Sequence, residues 1–387
     1  MKSGLRMVLI GFSLGPAIVM AQVFDARSMG RAGTGVTFGD YNQSLTNPAL
    51  INNVRENDDF AFGVNAGAIA SDQKEAIDTI DQIQEDVDEL EQQCSTGSCT
   101  PSDADPIRKK MGVIDRQLVQ VDGGGAALVG VPLSGFHFAL TSESSARVGA
   151  RFELNENDIQ TGGNLDQIAA GVADQDQLES EVAASAVRVD ELSGILGGAF
   201  REHYAWGAQV KFQKLELLDY SARIAAFEGD DVLDARNTKE HSSANLDLGF
   251  VRQPEGSGFS FGGTVTNLIP QTFSGPRGAD LEQDPQFNVA GGWRNAWFKS
   301  ELGMELNSAA GFDILKDTRF ARAGFELSAG RHAHLRAGYR TDLEDNVSDL
   351  YTVGLGISPF DTVSLDLAGM VGEGDTYGAA LQLGLKF

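Results

Sequence analysis

Apolar and polar residues alternate one by one through most of the second half of the chain. In the stretch YAWGAQVKF, one face carries Tyr204, Trp206, Ala208, Val210 and Phe212. The other face carries Gly207, Gln209 and Lys211. Because successive side chains of a strand point to opposite sides of a sheet, this period of two predicts strands with one apolar face and one small or polar face.

The alternation predicts about fourteen strands, or twelve to fourteen when the uncertainty of strand boundaries is allowed for. The third of them is either one long strand or two short strands that break near Ser144. The predicted strands begin near residues 60, 124, 136, 185, 203, 242, 258, 285, 297, 317, 332, 349, 362 and 376.

The connections between these strands are sorted by length. Every second connection is short, as in PLSG at 132 and PEGSG at 254. The connections between them are long, with about 54 residues after strand one and about 30 after strand three. Short periplasmic turns and long external loops are typical of outer-membrane barrels. We therefore predict an all-β fold, a transmembrane antiparallel β-barrel over residues 60–387.

The chain ends in YGAALQLGLKF, a strand with one apolar face. An open sheet edge in lipid has unpaired N–H and C=O groups that cost several kcal/mol each, so we expect the last strand to pair with the first. The tail resembles the C-terminal signal that the barrel assembly machinery of the outer membrane reads. The residues that carry this resemblance are Tyr377, Leu383, Leu385 and Phe387.

The first residues have the pattern of a secretory signal peptide. Lys2 and Arg6 precede an apolar run of about 14 residues, which is too short for a comfortable membrane span. We expect residues 1–21 to be a signal peptide that is cleaved after Ala21. A lone membrane anchor is the alternative, but Gly15 and Pro16 break the run. Together with the barrel pattern, export leads us to expect the mature chain in the bacterial outer membrane, in contact with lipid.

The net charge and the two cysteines limit the partners and the kinds of site that the chain can have. A net charge of -25 argues against nucleic acid as a partner, because phosphate binding requires Lys and Arg. Cys94 and Cys99 lie close together in CSTGSC, and an exported protein is expected to join them in a disulfide. Two thiols without a nearby histidine do not make a metal site. We find no catalytic pattern in a suitable context, and we expect neither enzymatic activity nor a cofactor.

The first long connection follows a helical period. Ile77, Ile80, Ile83, Val87 and Leu90 have helical spacing before the cysteines, and Ile107, Met111, Ile114, Leu118 and Val121 have it after them. We predict two antiparallel helices over residues 72–122, joined by the Cys94–Cys99 turn. Two interpretations remain open: a cap over the barrel, or a stalk that binds another envelope or conjugation protein.

The lumen-facing positions of the later strands carry charges of both signs. Cross-strand pairs of opposite charge are favourable, so we predict a charge network on the inner wall. Either this network stiffens and partly fills the barrel, or it lines a polar path for solutes. Its predicted members are Glu301, Glu305, Arg322, Glu326, Arg336 and Arg340, with His334 beside them.

A glycine-rich segment lies between the signal peptide and the first strand, with MGRAGTG followed by NPAL. This segment resembles the N-terminal hatch of the FadL-like outer-membrane barrels, and most closely that of the TraF family named for conjugal transfer. The resemblance implies a hatch inside the barrel over residues 22–59. A phosphate-binding loop is the rival interpretation, but it needs a strand before it and a helix after it. The matching residues are Gly30, Gly33, Gly35, Asn47, Pro48 and Ala49.

Two functions follow as hypotheses. One is a non-enzymatic surface or assembly component related to conjugal transfer, as the TraF resemblance implies. The other is a channel for small hydrophobic or amphipathic solutes, since FadL relatives pass long-chain fatty acids. Paired charges are a poor lining for hydrophobic solutes, because each charge loses hydration next to them. We therefore favour the first.

Overall fold

The chain forms a closed barrel of fourteen antiparallel strands, as the alternation predicts. This computed structural model describes residues 24–53, 59–72, 75–95, 99–133, 135–201, 203–227, 229–360 and 362–387. The predicted signal peptide, residues 1–21, lies outside the described residues. No helix within these ranges combines the length and the apolar character needed to span a membrane.

The strands and helices have the following bounds. The barrel strands are β1 (Ala61–Asp72), β2 (Leu118–Leu133), β3 (Phe136–Glu153), β4 (Glu181–Arg201), β5 (Tyr204–Arg223), β6 (Thr238–Arg252), β7 (Gly258–Thr266), β10 (Gln286–Arg294), β11 (Phe298–Glu305), β12 (Phe320–Ala329), β13 (Ala333–Asp342), β14 (Leu350–Ile357), β15 (Val363–Gly372) and β16 (Thr376–Lys386). A separate two-stranded sheet contains β8 (Gln271–Ser274) and β9 (Asp280–Gln283). The helices are α1 (Ala26–Met29), α2 (Ala76–Cys94), α3 (Asp105–Ile114), α4 (Glu156–Ile159), α5 (Asn164–Ala169) and α6 (Gly229–Val232).

The last strand closes the barrel against the first. β1 pairs with β2 on one side and with β16 on the other, where Ala61 lies opposite Lys386. The chain end therefore has its backbone groups paired, as a strand in lipid requires. The third strand is continuous from Phe136 to Glu153, without a break at Ser144. We call the end of the barrel at which Ala61 and Lys386 lie the short-turn end, and the opposite end the long-loop end.

The barrel wall is much taller on one side. β2, β3, β4 and β5 have 16, 18, 21 and 20 residues, whereas about 9–11 residues cross a membrane. On the outer face, Leu140, Leu192 and Phe212 are 54%, 60% and 63% exposed, as expected for side chains in contact with lipid. Nearer the long-loop end, the outward-facing Val148 is 2% exposed. The strands therefore rise above the lipid and become covered by other parts of the protein.

The covering part, which we call the cap, consists of α2, α3, α5 and the upper ends of β2–β5. Its helices bury one apolar stripe each, and these stripes share a continuous core with the strands. α3 ends at Ile114, so that Leu118 and Val121 lie in β2, and the helical spacing that seemed to continue to Val121 is coincidental. The disulfide between Cys94 and Cys99 is present, as predicted for an exported chain.

Candidate functional site in the barrel lumen

Residues 24–53, here called the plug, lie inside the barrel toward its short-turn end. The sequence of the plug contains its own caps. Asp25 accepts the Arg27 N–H at 3.0 Å and begins α1, and Asp40 accepts the Asn42 N–H at 3.0 Å and begins a short 3₁₀ turn. Asn47 accepts the Ala49 N–H at 3.0 Å and is followed by Pro48, which suits the first position of a helical turn. Local hydrogen bonds thus shape a segment that has little regular structure.

All fourteen barrel strands contact the plug. Eleven of the contact positions are glycines, and at seven of these a Cβ atom would come closer than 3 Å to a plug atom. The wall can approach the plug backbone so closely because these positions lack a side chain. The contact positions, from β1 to β16, are Gly63, Gly124, Ala139, Gly197, Gly207, Gly249, Gly262, Gly292, Glu301, Gly324, Gly338, Gly354, Asp366 and Gly384.

Glu301 holds the middle of the plug. Its carboxylate accepts four consecutive backbone N–H groups, those of residues 35–38, at 2.8 to 3.2 Å. The Thr37 hydroxyl donates a fifth hydrogen bond at 2.6 Å. Hydrogen bonds to an ionised acceptor are about twice as strong as neutral ones. The alternation predicts Glu301 as a member of the wall network, whereas its partners here are backbone N–H groups and one hydroxyl of the plug.

The predicted hatch residues take distinct positions in the plug. Gly30 lies against Gly354 of β14, and Gly33 has a φ of +81°, a left-handed conformation that glycine adopts without strain. Gly35 donates its N–H to Glu301. Asn47 donates to the Val36 carbonyl at 2.6 Å, and Pro48 and Ala49 are buried beside β5 and β6.

A chain of buried ion pairs joins the plug to the wall. Arg27 of the plug binds Asp366 of β15 at 2.7 Å, and Asp366 also accepts Arg336 of β13 at 2.8 Å. Arg336 in turn binds Glu326 of β12 at 2.7 Å. The predicted members Glu326 and Arg336 are therefore brought together. Asp366 was missed, although it occupies a lumen-facing position of VSLDLAGMV.

Asp40 provides a second ionic attachment. Arg27 binds the Asp40 carboxylate, and Lys386 of β16 lies 3.5 Å from it. Burial acts to raise the pKa of Asp40, but the charges of Arg27 and Lys386 outweigh burial and hold that pKa well below its usual range. Next to it, the Tyr41 hydroxyl lies 2.7 Å from the Phe62 carbonyl oxygen and 3.0 Å from that of Leu385. The plug thus contacts both strands of the closing junction.

Of the remaining predicted charged residues, two form an ion pair with each other and one has no ion-pair partner among the described residues. Glu305 and Arg322 form an ion pair. Arg340 lies directly opposite Arg322 in the β12–β13 register and stacks on Phe320, with its guanidinium carbon 4.2 Å from the ring centre. Arg340 has no ion pair with any described residue. The predicted network therefore does not include Arg340.

A second charged cluster, which the sequence analysis does not predict, lies on the tall wall. Lys211 of β5 lies 3.0 Å from Asp247 and 3.8 Å from Glu191. Glu143 of β3 faces Glu191 directly across the strands. These residues and the Glu305–Arg322 pair line a chamber of about 200 Å³ above the plug. These charged residues can be recognised in the sequence, because they occupy polar positions in strands whose apolar and polar residues alternate.

The loop between β11 and β12, residues 306–319, crosses the long-loop end of the barrel. Its Leu315 lies against Gly149 of β3, and its Asp313 accepts a hydrogen bond from Ser185 of β4. β3 and β4 belong to the opposite wall in the strand order. The loop therefore bridges the mouth, with the chamber between it and the plug.

The C-terminal residues behave as a lipid-facing strand end. Tyr377 and Phe387 are 61% and 63% exposed on the outer face, and Leu383 and Leu385 are partly covered. Within the described residues, no group of three or more His, Cys, Asp or Glu side chains is arranged to hold a metal ion.

The chain matches the model of the protein family described as "F plasmid transfer operon, TraF, protein". The match covers residues 44–304, well over half of the chain. The chain belongs to this family. Comparison with curated proteins found no match. The TraF assignment agrees with the resemblance seen in the hatch motif.

Solved structures similar to this TraF-family chain are outer-membrane barrels. A Pseudomonas aeruginosa FadL homologue has a TM-score of 0.57 at 12% identity, over 96% of this chain and 99% of the other. The P. putida toluene transporter TodX has a TM-score of 0.53 at 11% identity, over 95% and 99%. At such low identity the likeness shows a shared FadL-like fold.

Proposed function

We propose that this TraF-family chain is a closed outer-membrane barrel that displays its cap on the cell surface, as a non-enzymatic surface or assembly component. The contact of the plug with all fourteen strands carries the proposal. A segment that contacts every strand of the wall suits a barrel that this segment shuts. The transfer-operon name of the family supports a place in conjugal transfer.

A second barrier supports the same conclusion. The 306–319 loop packs across the mouth through Leu315, which is 3% exposed, and through Asp313. The loop and the plug are separate parts of the chain, so opening the barrel requires both to move. A passage protein needs one movable barrier, whereas two independent barriers suit a barrel that stays shut.

The cap is the part that we propose to act on a partner. The α2–α3 hairpin covers the tall wall with its apolar stripes and presents its polar face outward, with Asp88 and Glu89 exposed. An acidic helix surface suits a basic surface on another envelope or conjugation protein. Assembly into the membrane requires the barrel assembly machinery, for which the terminal Phe387 strand is the proposed signal.

Conductance in planar bilayers tests the proposal. The intact protein and a variant lacking residues 24–53 are both expected to stay silent, because the crossing loop remains. A third variant, which also has residues 307–318 replaced by a short Gly-Ser linker, is expected to conduct. Heat-modifiable mobility on gels serves as the check that each variant has folded. Large currents from the intact protein would contradict the closed barrel, and large currents from the plug deletion alone would contradict the crossing loop as a second barrier.

Passage of small solutes is the second candidate, and one observation favours it. The chamber between the plug and the crossing loop has a volume of about 200 Å³, and charged and polar side chains in its lining stand beside apolar ones such as Val36 and Leu45. Such a lining suits a small polar or amphipathic solute better than a long hydrocarbon chain. Swelling of liposomes that contain the intact protein, in isotonic solutions of small solutes, would support this candidate.

A further inference from the structure

A second cavity of about 200 Å³ lies at the long-loop end, beside the chamber. Its lining holds four cationic side chains and two carboxylates, in a protein whose net charge is -25. None of the described plug residues lines it, so it can be filled without any movement of the plug. The charged lining residues are Arg116, Asp122, Arg147, Lys316, Arg340 and Asp345.

Arg340 is the unusual member of this lining. Only 6% of the residue is exposed, yet it donates no hydrogen bond to any described residue and its Nε atom is buried without a partner. Its single strong contact is the cation–π stack on Phe320. An arginine stays charged in a protein, so burial without an anion is unfavourable.

Two wall carboxylates near Arg340, Asp122 and Glu305, already have partners. Asp122 accepts Arg147 at 2.7 Å, and Glu305 pairs with Arg322. Arg322 lies directly opposite Arg340 across the strands, and like charges in this position repel each other. The buried guanidinium of Arg340 thus shares this part of the lumen with the half-buried one of Arg322, and Arg340 forms no ion pair with a described residue.

We propose that the cavity binds a small oxyanion, the carboxylate or phosphate group of a solute from outside the cell, with Arg340 as its main donor. The planar guanidinium matches two oxygens of such a group. Lys316 and Arg116 are exposed at the rim and attract the anion toward the buried Arg340. At about 200 Å³ the cavity is smaller than typical sites for drug-sized ligands, which limits the solute to a small one.

Calorimetric titration of the purified barrel in detergent tests the site. Inorganic phosphate and benzoate are the two probes, each titrated at constant ionic strength with sodium chloride as the balancing salt. At least one probe is expected to bind saturably, with one site per chain. Arg340→Gln is expected to weaken that binding at least tenfold, and Lys316→Gln several-fold. Arg236→Gln, which removes an exposed charge on the same side, is the matched control and is expected to change nothing.

The outcomes separate clearly. Binding of phosphate alone assigns a phosphate group, and binding of benzoate alone assigns a carboxylate. No saturable binding of either probe to the intact protein overturns the proposal, as does equal binding by the Arg340→Gln variant. If that variant fails to fold, Lys316→Gln decides, because Lys316 is exposed and its replacement leaves the wall intact. Unchanged affinity in Lys316→Gln then counts against the site.

Discussion

A Cβ atom at position 207 would lie 2.1 Å from the carbonyl carbon of Pro48, so Gly207 of β5 and Pro48 of the plug fit together only because position 207 has no side chain. We predict that Gly207→Val displaces this part of the plug, because overpacking costs about 1–3 kcal/mol. A Ser44→Cys reporter in a background without Cys94 and Cys99 should then react with a maleimide at least tenfold faster. Gly291→Val, an outward-facing strand glycine with open space around it, is the matched control. Equal protection of the reporter in both variants would contradict the prediction.

Attachment of the plug should weaken in acid. The pKa of Asp40 is lowered in the folded state by Arg27 and Lys386, so the stabilisation is complete above the ordinary carboxyl pKa, about 4, and is lost as pH falls below it. Hydrogen exchange of residues 24–53 between pH 6 and pH 3, corrected for intrinsic rates, should show falling protection. Asp40→Asn should lose protection at pH 6 and respond less to acid. The same pH response in both proteins would rule out Asp40 as a cause.

The buried ion pairs should matter far more than exposed ones. Arg336→Met leaves Glu326 and Asp366 without their shared partner in the lumen, and removal of one member of a buried pair costs about 3–5 kcal/mol. Unfolding in guanidinium chloride should show this loss. Arg236→Met, which removes the exposed pair with Asp234, should change the free energy of unfolding by about 1 kcal/mol or less. Similar effects of the two substitutions would contradict the assigned role of Arg336.

Reduction of the disulfide should loosen the cap and leave the barrel unchanged. A thiol count on the unfolded, unreduced protein should find no free cysteine. Cys94 and Cys99 are separated by only 5 positions, so the chain-entropy estimate of the stabilisation is about 2 kcal/mol. Limited proteolysis of the α2–α3 hairpin should therefore become faster after reduction, while the heat-modifiable mobility of the barrel stays the same. Loss of that mobility would show that the cap supports the barrel.

The alternation of apolar and polar positions predicted the barrel, its strand count and its closure, because a wall between lipid and a polar lumen imposes that period on every strand. The helix boundary was less predictable. Leu118 and Val121 continue the spacing of α3, but β2 begins at Leu118 because pairing with β3 satisfies the backbone there. A one-dimensional period cannot show which neighbour a residue pairs with.

The lumen was predicted in part. Glu326 and Arg336 were expected to pair because they lie on adjacent strands, and they do. Glu301 could not be assigned correctly, because its partners are the N–H groups of a segment more than 260 positions away. The sequence shows that the inner face of the strands carries glycines. It does not show that these glycines make room for the plug, because that depends on the shape of the plug.

Contact of the Tyr41 hydroxyl with carbonyl groups of both Phe62 and Leu385 has a consequence for the order of folding. Those two carbonyls belong to strands that stand at opposite ends of the chain, and they come together only when the cylinder is complete. Contacts between residues so distant in sequence form late, because they require the closure of a very long loop. Residues 24–53 are synthesised before the barrel strands. They therefore reach their final position in the lumen only after the last strand has joined the barrel.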